Sequence, residues 1–312
     1  MLEAPLALAL DAAFGYPQGL QRRIGHPVEW IGALITGLDR RFNRDADSPI
    51  RRRFNGTLTL LATAAGGAAF GWALQAACGR SRFSPLLRAA AAVPGLAQRS
   101  LSEHVQAVAR PLREGRLDAA RTAVGRIVGR DVLSLDETGV ATAAIESLAE
   151  SFNDGVVAPA FWLTVGGLPA LYAYKALNTA DSLIGHREPR WRAFGWASAR
   201  ADDLANLIPA RIAGALVALA GGGGWRTMLR EAPRHASPNA GWPEAAMAGA
   251  LHVWLGGPVA YDGVMAERPV FNTAGHPPDA EALRRGLDVY GRASLLLGAG
   301  LLVCALASRR AR

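Results

Sequence analysis

The sequence predicts an all-α, multi-pass integral membrane protein whose spans are joined by amphipathic helical loops. Three observations predict it. Half of the 312 residues are hydrophobic and only 19% are charged, less charge than a water-soluble chain of this size carries. The stretch Asn55–Cys78 holds no charged residue and is bracketed by Arg51–Arg53 and Arg80; at ~1.5 Å per residue it covers roughly 36 Å, enough to cross a bilayer. No strand-like alternation stands out, and no repeat of about 20–50 residues is visible.

The elements follow in order as one membrane-embedded domain, 1–312. Residues 1–14 suit a short apolar helix, too short to span; Glu3, Asp11 and the lack of a basic start argue against a cleaved signal peptide. His26-Pro27 sets an extended turn before an interfacial amphipathic helix over 28–43, with Val28, Ile31, Leu34, Ile35 and Leu38 on one face. The first span is 55–78. A weaker one is expected over 83–98, although Arg88 and Pro94 lie within it. Residues 100–153 read as soluble amphipathic helices, the last capped by Asp136. Residues 156–176 form a further span, interrupted by Pro159, Gly166, Gly167 and Pro169 and therefore suited to a re-entrant or broken segment. Residues 204–220 form the next, 225–290 a second soluble helical block, and 293–307 the last span.

The net charge is +8, and all but one of the 34 basic residues are arginine. Arginine dominance fits GC-rich coding as readily as a binding role. The arginines cluster beside apolar runs (Arg51–Arg53, Arg309, Arg310, Arg312), which places residues 40–53 and the tail in the cytoplasm. No basic stripe interleaved with aromatics appears, so nucleic acid is not an expected partner. Cys78 and Cys304 sit in apolar surroundings and read as small buried hydrophobes.

Polar residues concentrate between Asp136 and Arg211. Glu146, Glu150 and Asn153 lie at i, i+4 and i+7, with Asp154 close to the same helical face. Facing carboxylates repel unless a proton or cation sits between them, and Mg²⁺ accepts one or two carboxylates alongside phosphate oxygens. The alternative is an ordinary solvated face. Lys175, the only lysine, ends an apolar run; it binds phosphate, stabilises developing negative charge, or snorkels to the interface. Asn178 and Asp181 continue its face, followed by His186 and Arg187. Asp202, Asp203 and Asn206 open the next apolar run, where capping explains one acid but less easily two acids and an amide. Arg200 and Arg211 beside them call for an anionic ligand or an internal carboxylate. Pro238, Asn239, Gly241, Trp242 and Pro243 specify a tight turn into a helix with Glu244 in its first turn. His235 has no partner at ligand spacing. P-loop, HExxH, CxxC and GxSxG motifs are absent, and no haem, flavin or nicotinamide is expected.

The segments ESLAESFNDGVVAPAFW, YKALNTADSLIGHRE, FGWASARADDLANLIPARI and SPNAGWPEAAMAGAL strongly resemble the adenosylcobinamide-phosphate synthase family of cobalamin biosynthesis. LDAAFGYPQGLQRRIGHPVEWIG and RSLSEHVQAVARPL…GRIVGRD resemble it too, so the likeness covers nearly the whole chain. It departs at Phe14-Gly15-Tyr16-Pro17, where the family usually has an acidic Gly-Asp-Pro turn. The resemblance implies a membrane enzyme that uses ATP to join (R)-1-amino-2-propanol, or its O-phosphate, to a propionate carboxyl of adenosylcobyric acid. It also implies an inner-membrane location, a cytoplasm-facing site, and contacts with other late corrin-pathway enzymes.

Residue roles come from the chemistry alone. Glu146, Glu150, Asp154 and Lys175 are the expected catalytic groups, and Glu150, Asp154, Asp202 and Asp203 the expected Mg²⁺ ligands. Lys175, Arg187 and Arg200 would bind phosphate or substrate carboxylate. Asn153, Asn178, Asn206 and Asn239 would orient the amides of a corrin, with Asp181 and Glu244 among the substrate-binding groups. The rival reading is a transporter for a corrinoid or small amine, which should carry ionisable residues at mid-span.

Overall fold

A computed structural model describes residues 2–186, 188–261 and 264–310. Arg187, Arg312 and the side chains of Arg309 and Arg310 lie outside what it describes. The chain forms two compact units, Met1–Ala97 with Ala158–Asn206 and Leu301–Arg312, and Gln98–Val157 with Leu207–Gly300. In chain order, α1 (Glu3–Phe14), α2 (Gln18–Ile24), α3 (Pro27–Phe42), α4 (Pro49–Ala77) and α5 (Ser84–Ala92) belong to the first unit. Next, α6 (Gln98–Arg113), α7 (Leu117–Val124) and α8 (Glu137–Phe152) belong to the second, and α9 (Ala158–Ile184) and α10 (Trp196–Ala205) return to the first. The second unit then takes α11 (Leu207–Gly221), α12 (Trp225–Glu231), α13 (Gly241–Leu251), four short strands and most of α14 (Ala280–Arg310).

The fold is all-α. Three helical stretches are long and apolar enough to cross a membrane: Pro49–Ala77, Glu137–Ile184 and Ala280–Ser308. A fourth results if α10 and α11, broken at Asn206, count as one. The expected span over 83–98 does not form. It is the nine-residue α5 followed by a 3-10 turn at Val93–Gly95, and at ~1.5 Å per residue nine residues cover less than half a bilayer. Pro94 ends the helix there, as proline interrupts backbone hydrogen bonding. The last span is longer than expected, because its helix starts at Ala280. Cys304 is exposed on it, a correction to the buried expectation: on an apolar span the outward face is itself apolar.

In the first unit α4 packs on α9 along a seam of small residues. Gly56, Leu60, Thr63, Gly67 and Gly71 are buried at helical spacing. A Cβ on Gly67 would lie 2.4 Å from the Tyr172 carbonyl oxygen, and one on Gly71 would lie 2.3 Å from that of Leu168. Backbones this close are how apolar helices associate without a hydrophobic driving force. The expected break in α9 is present: Gly166 and Gly167 leave helical geometry, Gly167 with φ +68°. The Leu168 N–H freed by the break donates to Gln75 Oε1 at 3.2 Å, which satisfies it in an apolar setting. Ile35, Leu60, Ala180, Ile184, Phe194 and Ala197 form the core beside it. The His26-Pro27 turn also appears, as the N-cap of α3: His26 Nδ1 accepts from Val28 N–H at 3.2 Å and Glu29 returns the bond.

In the second unit α6 buries Leu101, Val105, Val108 and Leu112 on one face, the amphipathic pattern expected. Asp136 caps α8, accepting from Gly139 N–H at 2.7 Å. Yet α8 is covered along almost its whole length rather than half-solvated, and a π-helical turn at Asn153–Val157 follows it. The 225–290 block is not purely helical. β1 (Leu255–Gly256) pairs antiparallel with β4 (Val270–Phe271), and β2 (Val259–Tyr261) with β3 (Val264–Ala266). Strands of two or three residues carry no alternation to read, which is why the sequence concealed them.

Candidate active site

The second unit contains a buried cluster of opposite charges. Glu146, midway along α8, is 2% exposed. Its Oε1 accepts the Gly256 N–H at 2.7 Å. Its Oε2 is ion-paired to Arg130 and lies 3.4 Å from Arg268 Nη1. The hairpin pairing explains this convergence, because β1 and β4 carry Gly256 and, just before β4, Arg268 to the side of α8. Gly256 has φ +93°, and a Cβ there would lie 2.0 Å from the Pro269 carbonyl oxygen, so only glycine fits.

Arg268 continues the network. Its Nη2 lies 3.5 Å from Glu244 Oε2 and 3.2 Å from His235 Nε2. Glu244, on α13, is 1% exposed, and its Oε1 has no hydrogen-bond partner among the described residues. Burial pushes the Glu244 carboxyl well above the ordinary range; Glu146 and Glu150 push it the same way, against Arg268 and Arg130. Glu150, one turn beyond Glu146, is exposed, and its charge is of the same sign as those of Asp154 and Glu146 and is repelled by them. Asp154 accepts from Asn153 Nδ2 at 2.7 Å. Beside this cluster opens a cavity of about 510 Å³ lined by Arg130, Asp131, Thr142, Trp254, Gly256 and Gly257, among others. A guanidinium wall backed by carboxylates suits an anionic group next to a cationic or proton-donating one.

The first unit holds a separate polar network on α9 and α10. Lys175 Nζ donates to Asn178 Oδ1 at 3.3 Å, and Asn178 Nδ2 donates to Asp202 Oδ1 at 3.3 Å. Asn206 Nδ2 donates to Asp202 Oδ2 at 3.0 Å, and the Tyr174 hydroxyl donates to Asn206 Oδ1 at 3.1 Å. Asn178, Asp202 and Asn206 are buried and Lys175 is half-buried. Lys175 is thus tied into a side-chain network.

Of the predicted residues, Glu146, Glu150, Asp154 and Glu244 share the first cluster, with Asn153 beside Asp154. Lys175, Asn178, Asp202 and Asn206 share the second. Asp181 closes α9, where its carbonyl accepts from Gly185 N–H at 2.7 Å. Arg200 pairs with Asp203 at 3.8 Å on an exposed face, a contact of small energetic weight. Arg211 donates to Asn239 Oδ1 at 2.8 Å and stacks over Trp242 at 4.6 Å.

Two expected Mg²⁺ ligands lie in each unit. Among the described residues no three His, Cys, Asp or Glu side chains are grouped to hold a metal ion. Glu150 and Asp154, whose like charges repel each other, fit the pair of carboxylates that Mg²⁺ takes when phosphate and water complete its shell. Asp202 has both oxygens engaged by amides and fits less well.

Sequence reasoning missed Arg130 and Arg268, and set His235 aside for want of a partner at ligand spacing. Arg130 stands in the segment GRIVGRD, a usable signal; nothing local marks Arg268, 122 positions from its partner Glu146.

The sequence model of the CobD/Cbib protein family matches residues 4–290. The chain is 49% identical over 291 residues to the cobalamin biosynthesis protein CobD of Rhodobacter capsulatus, covering 92% of each chain. It is 47% identical over 312 residues to the CobD of a Sinorhizobium species, covering 96% of each. It is 43% identical over 313 residues to that of Brucella suis, covering 96% of this chain and 95% of the relative. No solved structure matches.

Proposed function

The chain belongs to the CobD/Cbib family, a family of cobalamin biosynthesis, and from that premise we propose that it is an inner-membrane amide ligase. It joins (R)-1-amino-2-propanol, or its O-phosphate, to the propionate carboxyl of adenosylcobyric acid with hydrolysis of ATP, at a site facing the cytoplasm. The observation that supports this most is the Arg130–Glu146–Arg268–Glu244 cluster beside an open cavity.

A carboxylate has no usable leaving group. Attack of its oxygen on the terminal phosphorus of ATP gives an acyl phosphate and ADP. The amine nitrogen then adds to the acyl carbon, phosphate departs, and one proton leaves the nitrogen. Arg130, on the cavity wall, would hold the anionic oxygens of carboxylate and phosphate. Glu146, with donors on both oxygens, would fix the two arginines rather than react. Glu244, whose Oε1 has no hydrogen-bond partner among the described residues, would orient the amine and, in its ionised form, take its proton. Glu150 and Asp154 would hold Mg²⁺, which supplies charge neutralisation for the phosphates.

Purified protein in detergent, given adenosylcobyric acid, ATP and both amines in competition, should form adenosylcobinamide or its phosphate with matching ADP. Corrinoid flux into sealed vesicles without covalent product would overturn the proposal in favour of transport.

A further inference from the structure

Apart from the proposed active site, the first unit carries a cavity of about 420 Å³ at the C-terminal end of α4, lined by Trp72, Gln75, Ala76, Gly79, Arg80 and Arg88. The volume lies within the roughly 300–1,000 Å³ typical of small-molecule sites. Two guanidiniums face it. Arg80 is exposed and makes no ion pair among the described residues. Arg88 is held by the Gly79 carbonyl at 3.1 Å and by Glu3 at 3.6 Å, while its Nε is buried without a hydrogen-bond partner among the described residues. One carboxylate against two arginines leaves the pocket cationic, so it suits an anionic oxygen.

The surroundings say which anion. The cavity ends a helix long and apolar enough to cross a membrane. Its rim carries Trp72 at 66% exposure, and α5 with its flank adds the exposed Phe83, Leu86 and Leu87. Arg82 stacks on Phe83 at 4.7 Å. Arginine, tryptophan and exposed aliphatic side chains together at a span end are the profile of the headgroup layer. We propose that this cavity binds the headgroup of an anionic phospholipid, its phosphodiester between Arg80 and Arg88 and its acyl chains along the outer faces of α4 and α5. Gln75, on the cavity wall, also braces the broken α9 through Leu168 N–H, so the bound lipid stabilises the first unit at its break.

The test is native mass spectrometry and thermal unfolding of the full chain in neutral detergent, titrated with phosphatidylglycerol or phosphatidylcholine. We expect phosphatidylglycerol to be retained at least about fivefold more strongly and to raise Tm. Arg80→Gln should lower that retention about fivefold, the effect of one basic side chain at a charged interface. Arg88→Gln should lower it further but also loses the Glu3 contact, so the exposed Arg80 variant carries the test. Equal retention of the two lipids, wild-type retention by Arg80→Gln, or displacement of the lipid by millimolar inorganic phosphate would each overturn the proposal.

Discussion

Glu146→Gln separates an ion-pair keystone from a reacting carboxylate. The amide oxygen can still accept the Gly256 N–H, so the change removes the charge and puts an amide N–H donor where Oε2 accepted from Arg130 and Arg268. Arg130 and Arg268 retain only 10% and 19% side-chain exposure. Breaking a buried pair by neutralising one partner costs about 3–5 kcal/mol. Arg268 keeps Glu244 and Arg130 borders an open cavity, so the lower end applies, about 3 kcal/mol. At roughly 2–4 °C per kcal/mol the melting point should fall by about 6–12 °C. Glu150→Gln changes an exposed side chain and should stay within about 0.5 kcal/mol of wild type, yet abolish ADP-coupled amide formation. Thermal unfolding in detergent and turnover on the same preparations check both. Wild-type stability for Glu146→Gln would refute the keystone reasoning, and full turnover by Glu150→Gln would remove that carboxylate from the reaction.

Glu244→Gln should change the pH dependence of stability: the folded state raises the Glu244 pKa, so wild type binds the proton more tightly folded than unfolded and loses stability as pH rises from the ordinary carboxylate range through the folded value. Unfolding titrations should therefore show the variant gaining on wild type as pH increases; a constant difference would count against a buried, proton-holding Glu244. Gly56→Ala would set a Cβ 1.8 Å from the Phe194 carbonyl oxygen, and the forced separation of α4 from that loop should cost about 1–3 kcal/mol in chemical denaturation. Asn178→Ala deprives buried Asp202 of one amide donor and should cost about 1–3 kcal/mol, whereas an unchanged midpoint would show that the Lys175–Asn178–Asp202 chain is not structural.

What local chemistry decides is legible along the chain. A charge-free run between arginines specified α4, because an apolar helix and its flanks are selected by solvation alone. Asp136, His26-Pro27 and the Gly166-Gly167-Pro169 break announced two helix starts and one interruption, because caps, prolines and glycines act on the backbone within a few residues. The quoted motifs identified the family. The surroundings of the candidate site depend on long-range packing. Glu146 and Glu150 share a helical face, yet one is sealed and the other open, because Gly256 and Arg268 arrive from more than a hundred residues away to cover only the first. Arg211 likewise meets an amide and an indole, Asn239 and Trp242, that nothing on its own helix announces. Helical periodicity says which way a carboxylate points; its burial, and so its chemistry, depends on chain that packs against it from elsewhere.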